Sequence, residues 1–506
     1  MKLTIFPLAA LTLTLAGNAR AEATYLDPTP APALSSTRTI TLDECISMAL
    51  SHNLDVQIER FSPWLAQYDL SIARGGYDPV LTASAQHDYS ETGTRLLTGN
   101  LSIPGTKSDD NSFMSSVAGS LPWGMTYSLQ ANAKDTYGRS STNNFENTSG
   151  TASLSVTQPL LKNFWFNNTR LTILVSKNRI KYSEQALRQQ IINTVSAVET
   201  AYYELIFARE NVKVQERGLQ LAEQLLSENK KRVEVGVLAP LDEKQAESQA
   251  AARRADLVAA QLAEHTAHNT LKKLVTDDYA ASYGVTFQPG EALVAMSQTF
   301  NLQESWKLGL RQRPDLLEAK LDVERSGLQL KYYKNQVFPQ LDVFGSYGFS
   351  GSKREFSGAI EDIRGGDLPL YTYGVQLSIP LSNVAARNTY KKGKVTVQQG
   401  LLTVKKIEQD VMVQIDDAIR TAQSAFERVD ATHQARLYAE AALEAEQKKL
   451  ENGRSTSFNV LSLQSTLTAA RSAEIRALAD YNEALTALAQ NEASTFERRK
   501  IDVKMQ

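Results

Sequence analysis

Five histidines and one cysteine are the side chains of this 506-residue sequence best suited to bind a metal or attack a substrate. His52, His87 and His433 stand far apart. His265 and His268 would share one helix face, yet no acidic or cysteine partner completes a zinc set around them. Cys45 stands alone, which excludes a disulfide within the chain, and it reads as a small apolar helix residue. No glycine-rich phosphate cradle occurs. The 56 acidic residues are interleaved with 54 lysines and arginines, the pattern of solvated helix faces. The expectation is a protein that is not an enzyme and uses no metal or cofactor. A net charge of −2 also removes the electrostatic argument for a nucleic-acid partner.

The elements around these residues are more informative. Lys2, an apolar run over 5–16 and the small-x-small site Ala19-Arg20-Ala21 read as a secretory signal over 1–21. Residues 22–40 read as an extended segment. No later stretch has the length and apolarity of a transmembrane helix. An exported chain without a helical span is periplasmic, secreted, or a β-barrel in an outer membrane.

The chain reads as a duplication. Leu42-Asp43-Glu44-Cys45-Ile46-Ser47-Met48-Ala49-Leu50 aligns without a gap on Leu302-Gln303-Glu304-Ser305-Trp306-Lys307-Leu308-Gly309-Leu310 at an offset of about 260. The register continues through Asp55/Asp315, Leu70/Leu330, Pro79/Pro339 and Leu81/Leu341. Thr41 and Asn301 each precede a glutamate by three residues, a capping-box start. Repeat 1 spans 41–275, a linker 276–300, repeat 2 301–491, and a C-terminal tail 492–506. Within that tail, 498–506 reads as mobile.

Each repeat opens with a helix of about 35 residues (41–75 and 301–336), with a kink expected at Pro63 and a break at Pro314. After Pro79 and Pro339 the period switches to two: Leu81, Ala83, Ala85, His87 and Tyr89 share a face, as do Leu341, Val343, Gly345, Tyr347 and Phe349. Return strands end at Pro159 and Pro380. Repeat 1 also carries two alternating runs, 113–121 and 125–133, joined by Pro122-Trp123-Gly124, an added hairpin that the pattern leaves inside or outside the sheet. Proline-free helical patterns over 171–235 and 385–452 would be helices about 100 Å long. Gly236 and Gly453 punctuate them before return helices over 241–275 and 458–491. Two return strands and two opening strands make four per chain. Because membrane barrels start at eight strands, closure requires several chains, and a trimer would supply about twelve. Narrow apolar stripes with frequent alanines, such as Ala250, Ala251 and Ala252, suit close coiled-coil packing.

At this point the sequence resembles the TolC-like outer-membrane efflux family over nearly all of the mature chain. The carriers are 42–50 with Asn53, 302–310 with Pro314, Gln158-Pro159-Leu160-Leu161, Ile379-Pro380-Leu381, and the turns Val235-Gly236-Val237-Leu238-Ala239 and Asn452-Gly453-Arg454-Ser455-Thr456. Leu54 stands where the family favours proline. The resemblance implies a mainly α, mixed α and β fold. Long coiled-coil-like helices form a periplasmic α-barrel, and short antiparallel strands form a membrane β-barrel shared among three chains. It implies a homotrimeric, passive exit duct in the outer membrane, embedded in its lipid and extending into the periplasm. A periplasmic adaptor (membrane fusion) protein and an inner-membrane pump of RND or ABC type would be its partners. The two turns match the adaptor-docking tip, in addition to being left-handed helix caps at Gly236 and Gly453. Asp242 matches a tip-latching aspartate, and it also reads as a solvated acid at a helix start. Arg454 sits one residue early for the family's latch arginine. Asn459 and Ser462 stand where some members carry the acids of a cation-selecting constriction, so the resemblance implies a weaker cation preference here. The competing reading is an exported coiled-coil structural or adhesin protein, which would lack paired alternating strands.

Overall fold

The structure is a computed structural model that describes residues 36–96, 102–103, 105–140, 143–236 and 238–501. The expected signal at 1–21 and most of the expected extended segment lie outside the described residues. Strand β1 (Ser36–Ile40) precedes helices α1 (Leu42–His52) and α2 (Leu54–Arg74). Strands β2 (Val80–Glu91), β3 (Arg95–Leu96), β4 (Ser102–Ile103), β5 (Thr106–Ser120), β6 (Thr126–Ser140) and β7 (Asn143–Pro159) follow. Helix α3 (Asn168–Glu234) and its return α4 (Pro240–Val275) come next, then β8 (Val285–Pro289). The second half holds α5 (Leu302–Gln312), α6 (Pro314–Gln336), β9 (Gln340–Lys353), α7 (Phe356–Gly365), β10 (Pro369–Ser378), α8 (Val384–Glu451), α9 (Ser457–Glu492) and α10 (Thr495–Arg499). At 67 and 68 residues, α3 and α8 are each about 100 Å long.

Both opening helices break at equivalent points. Asn53 and Arg313, 260 positions apart, adopt extended ψ angles of 124° and 122°. In the second copy Pro314 starts the new helix, a position where its missing N–H is harmless. In the first copy Asn53 replaces that device: its side-chain oxygen accepts from Val56 N at 3.2 Å, and its amide donates to Leu274 O at 3.0 Å. Pro63, the site of the expected kink, lies inside α2, and the interruption lies ten residues earlier.

The expectation of four strands per chain is corrected. One antiparallel sheet of six strands has the order β10-β9-β7-β6-β5-β2. The added hairpin supplies β5 and β6, paired in register from Thr106↔Ser140 to Ser120↔Thr126. The faces stay consistent across every strand. Leu81, Val117, Leu129, Leu154, Tyr347 and Tyr371 fall on one face, and Thr82, Ser116, Gln130, Ser153, Ser346 and Thr372 on the other. Helix α7, which fills the glycine-rich stretch of repeat 2, lies on the apolar face over the middle of the hairpin strands. Phe356 meets Phe113 edge-on at 6.4 Å, and Ile363 reaches over Gly150.

The largest core sits midway along the helices, where Ile40, Cys45, Tyr202, Leu205, Leu271, Val275 and Phe287 pack together. Burial pushes the Cys45 thiol up to about 12, so it is inert filling. Strand β1 pairs in parallel with β8, which ties the linker to the start of the chain. The reading of 498–506 as mobile fails for its described part. Arg499 Nε lies 2.5 Å from the buried Glu199 carboxylate, which also accepts from Thr486 at 2.6 Å, and Ile501 packs on the core. A buried charge of this kind requires a partner, and the last helix supplies it.

His268 serves this linker, while His265 meets Asn269 on its own helix. His268 Nε2 accepts from Phe287 N at 2.8 Å, which requires that nitrogen to be unprotonated, and Lys272 donates to Tyr283 O at 3.1 Å. Burial, reinforced by the charge of Lys272, lowers His268 from 6.5 to about 4. The unfolded chain therefore takes up this proton first as pH falls. The stability is complete above about 6.5 and lost on acidification toward 4. Melting temperatures of wild type and His268→Gln, measured between about pH 7 and pH 5, test this. The wild type should lose more over that interval, whereas parallel losses would exclude His268 as the titrating group.

Candidate functional site: the helical tip and the sheet wall

The two ends of the long hairpins carry different chemistry. At the turn end, α3 stops at Glu234, and Gly236 takes a left-handed φ of +74°, with its N–H donating to Val233 O at 2.9 Å. Its counterpart Gly453 has φ +70° and donates to Leu450 O at 3.1 Å, while Arg454 N reaches back to Lys449 O at 2.8 Å. These paired bonds satisfy the last carbonyls of the helix, and a left-handed residue is what lets the chain turn to make them. Each glycine is followed four residues later by the first residue of a return helix, Pro240 or Ser457.

The sequence-predicted tip residues gather at these turns. Val235, Gly236 and Ala239 are exposed and Leu238 half-buried. Asn452, Gly453, Arg454 and Thr456 are exposed and Ser455 half-buried. Val237 lies outside the described residues. Asp242 stands in the first turn of α4 beside Glu243, where the helix dipole favours acids. The first turn of α9 has none, and Thr456 caps it by accepting from Asn459 N. Asn459 is tied into the turn: it donates to Ser455 Oγ at 3.4 Å, and Ser455 donates to Glu446 at 2.5 Å. Bonds from Ser455 and Lys449 hold the Glu446 carboxyl below its usual range. Ser462 is exposed about one turn further along.

Three features of the tip escaped the sequence reading. Val235, Leu241 and Phe458 present large apolar side chains to solvent. Ser457 donates to Asn229 at 3.0 Å, both buried, which locks the second turn against α3. Asn229 sits at helical spacing from Ala222 and Leu225, so a polar residue in an apolar stripe was the available signal. Arg253 donates to Ser465 at 2.5 Å and joins the two return helices.

At the other end the sheet meets the helices through an apolar rim. Trp123, Phe164, Trp165, Phe338, Ile379 and Leu381 are exposed there. The turn of the β5–β6 hairpin belongs to this rim. Trp165 N donates to Trp123 O at 3.1 Å, and the Arg170 guanidinium lies 5.3 Å from the Trp165 ring centroid. Gly124, at φ +97°, passes so close to Asn163 O that a Cβ there would stand 2.5 Å from it. An aromatic rim beside an apolar sheet face is the pattern of a membrane barrel at its interface. Among the described residues no helix is long and apolar enough to cross a membrane. No cluster of His, Cys, Asp and Glu among them could hold a metal.

Comparison with known proteins agrees with this division. The family described as outer membrane efflux protein matches residues 45–276 and 307–491. Outer membrane efflux protein BepC of Brucella suis biovar 1 (strain 1330) is 23% identical over 334 residues, 65% of this chain and 69% of that protein. Among solved structures, CusC superposes with a TM-score of 0.65 at 16% identity, covering 89% of this chain and 91% of that one. VceC of Vibrio cholerae gives 0.65 at 18% identity, covering 89% and 95%. The channel CmeC of Campylobacter jejuni gives 0.66 at 14%, covering 92% and 90%. With strands for the lipid and helices for the periplasm, this chain belongs to the outer membrane efflux protein family and resides in the outer membrane.

Proposed function

We propose that three copies of the chain assemble into a passive exit duct, the outer-membrane component of a tripartite efflux or type I secretion system. One observation carries the reading: a sheet with an apolar face and two open edges is joined to helices about 100 Å long that end in exposed turns. Lipid tolerates no open sheet edge, so β2 and β10 must pair with further copies. A second surface also calls for a partner. On α2, Leu54, Ile58, Phe61, Leu65, Tyr68 and Ile72 are all exposed, spaced alternately by four and three. That is a coiled-coil seam without a partner among the described residues, and its opposite face is already buried against α3. The duct has no chemistry of its own. It offers a hydrated path, and the tip turns dock a periplasmic adaptor that links it to an RND or ABC pump. The pump selects the cargo and supplies the energy.

Phe61→Glu combined with Leu65→Glu should convert detergent-extracted trimers to monomers, because each buried large apolar side chain contributes about 1.5–3 kcal/mol. Light scattering reads the mass, and trimers that survive the double change would remove the seam from the interface. Release of the wild type into the medium as a soluble rod would sink the duct reading itself.

The turns give a second prediction. Nothing lies within 4 Å of a Cβ built at Gly236 or Gly453, so a bulky side chain there projects from the tip at a conformational cost of about 1–2 kcal/mol. Gly236→Trp and Gly453→Trp should form trimers at wild-type yield but reduce export to the level of a deletion strain. Wild-type export by both would withdraw the docking assignment.

Ion passage gives a third. With Asn459 and Ser462 uncharged, planar-bilayer recordings should show stepwise conductance with mild cation preference. Strong block by divalent cations, the behaviour of a carboxylate ring, would contradict it.

A further inference from the structure

We infer that the second hairpin of repeat 1 is part of the membrane wall, so that a closed trimer carries eighteen barrel strands rather than twelve and opens through a much wider outer pore. This rests on the trimeric duct proposed above and on three independent features of β5 and β6.

The first is pairing. Strand β5 holds β2 over twelve residue pairs and β6 holds β7 over fifteen, so the hairpin separates β2 from β7 and cannot leave the sheet without breaking both ladders. The second is facial chemistry. The apolar face of the neighbours, Leu81 and Ala85 on one side and Leu154 and Ala152 on the other, continues through Phe113, Val117, Leu129 and Ala131 in the same register. The opposite face continues as Ser112, Ser116, Gln130 and Asn132, matching Thr82, Ser153 and Ser155. A hairpin folded into a water-filled lumen would expose Val117 and Leu129, and one folded outward would place Gln130 and Asn132 in lipid. Only a place in the wall suits both faces. The third is depth. The turn carrying Trp123 is bonded to Trp165 in the rim, so the hairpin spans the same level as the strands that feed the helices.

The consequence is geometric. For a strand spacing of about 4.8 Å and a tilt of about 40°, twelve strands give a backbone radius of roughly 12 Å and eighteen roughly 18 Å. The backbone cross-section grows about twofold, with no additional helices in the tunnel below. The inward residues of the hairpin next to the rim are Ser112, Met114, Ser116, Ser128, Gln130 and Asn132, none of them charged, and the pair Asp110–Lys134 follows beyond them at 3.0 Å. The membrane segment therefore becomes a wide vestibule, and discrimination by size falls to the tip.

The test uses the full-length complex in lipid nanodiscs. Native mass spectrometry counts subunits, and electron cryo-microscopy of the same sample counts strands. Three subunits with eighteen strands is the expected result. Three subunits with twelve strands, the hairpin lying off the wall, would overturn the inference and leave the duct intact. A subunit number other than three would fail the duct reading on mass alone. Spin labels at Val117→Cys and Leu129→Cys should collide with lipid-dissolved oxygen. Labels at Ser116→Cys, Gln130→Cys and Asn132→Cys should collide with a water-soluble nickel chelate. Loss of this alternation would equally overturn the inference. Deleting residues 107–141 leaves the odd residues of β2 to face the even residues of β7. The resulting trimer should have twelve strands, and polyethylene glycols added on the barrel side should enter it only up to a smaller size than in the wild type. An unchanged size limit would count against the hairpin as a wall element.

Discussion

Backbone hydrogen bonding is the constraint on which the rest of this molecule depends. A sheet that ends at β2 and β10 leaves a row of unpaired N–H and C=O groups on each edge, and in hydrocarbon every such group costs several kcal/mol. One chain cannot bend six strands into a closed wall, since eight is the least that closes in a membrane. Association is thus a condition of insertion, and the exposed seam on α2 is the same requirement expressed in the helices. Sheet and seam are coupled covalently, because α2 runs into β2 after only a short turn and Pro79. A register error in either would carry into the other.

The helical part is stabilised differently. Its apolar stripes are narrow, so cores occur as separate clusters spaced along the bundle. Ionic networks fill the intervals. Arg476 joins Glu204, Asp480 and Glu483, while Arg436 and His433 share Glu474 and Arg471 pairs with Glu440. Burial lowers the Arg476 pKa, but the carboxylates of Glu204 and Asp480 more than offset this and keep it charged. Burial pushes Glu483 up to about 7 in spite of Arg476. Partly buried pairs of this kind contribute little net stability, but breaking one leaves an uncompensated charge. They therefore serve mainly to set helix register in a bundle whose alanine-rich stripes would tolerate sliding.

The long helices, their glycine turns and the repeat order were legible because each has a local cause: proline-free periodicity, a left-handed cap, or a capping box. The bend at Asn53 was not. It depends on an amide bond to Leu274 that is 221 positions away, whereas Pro314 announces the same bend by itself. The added hairpin was visible as alternation, but alternation does not say which strand it joins; that follows from the register with β2 and β7. Helix α7 was hidden in a glycine-rich stretch because its apolar residues Phe356, Ala359, Ile360 and Ile363 only make sense against the sheet they cover. The tip residues were legible as turns, while the buried Ser457–Asn229 bond behind them was not, since it joins elements 228 positions apart.

The two halves have kept a common frame and diverged at its ends. The paired breaks show how far the frame constrains them: Asn53 and Arg313 reach the same backbone angles through a side-chain cap in one copy and a proline in the other. At the sheet the first copy has four long strands and the second has two, with α7 laid over them. At the tip the first copy begins its return helix with Asp242 and Glu243, and the second has no acid in that first turn, its turn being braced by Glu446, Ser455 and Asn459. The long helices between these ends differ by one residue in length. That near-equality is what lets unlike ends coexist: so long as both hairpins span the same height, strands can be added at one end and charges removed at the other without disturbing the packing between them.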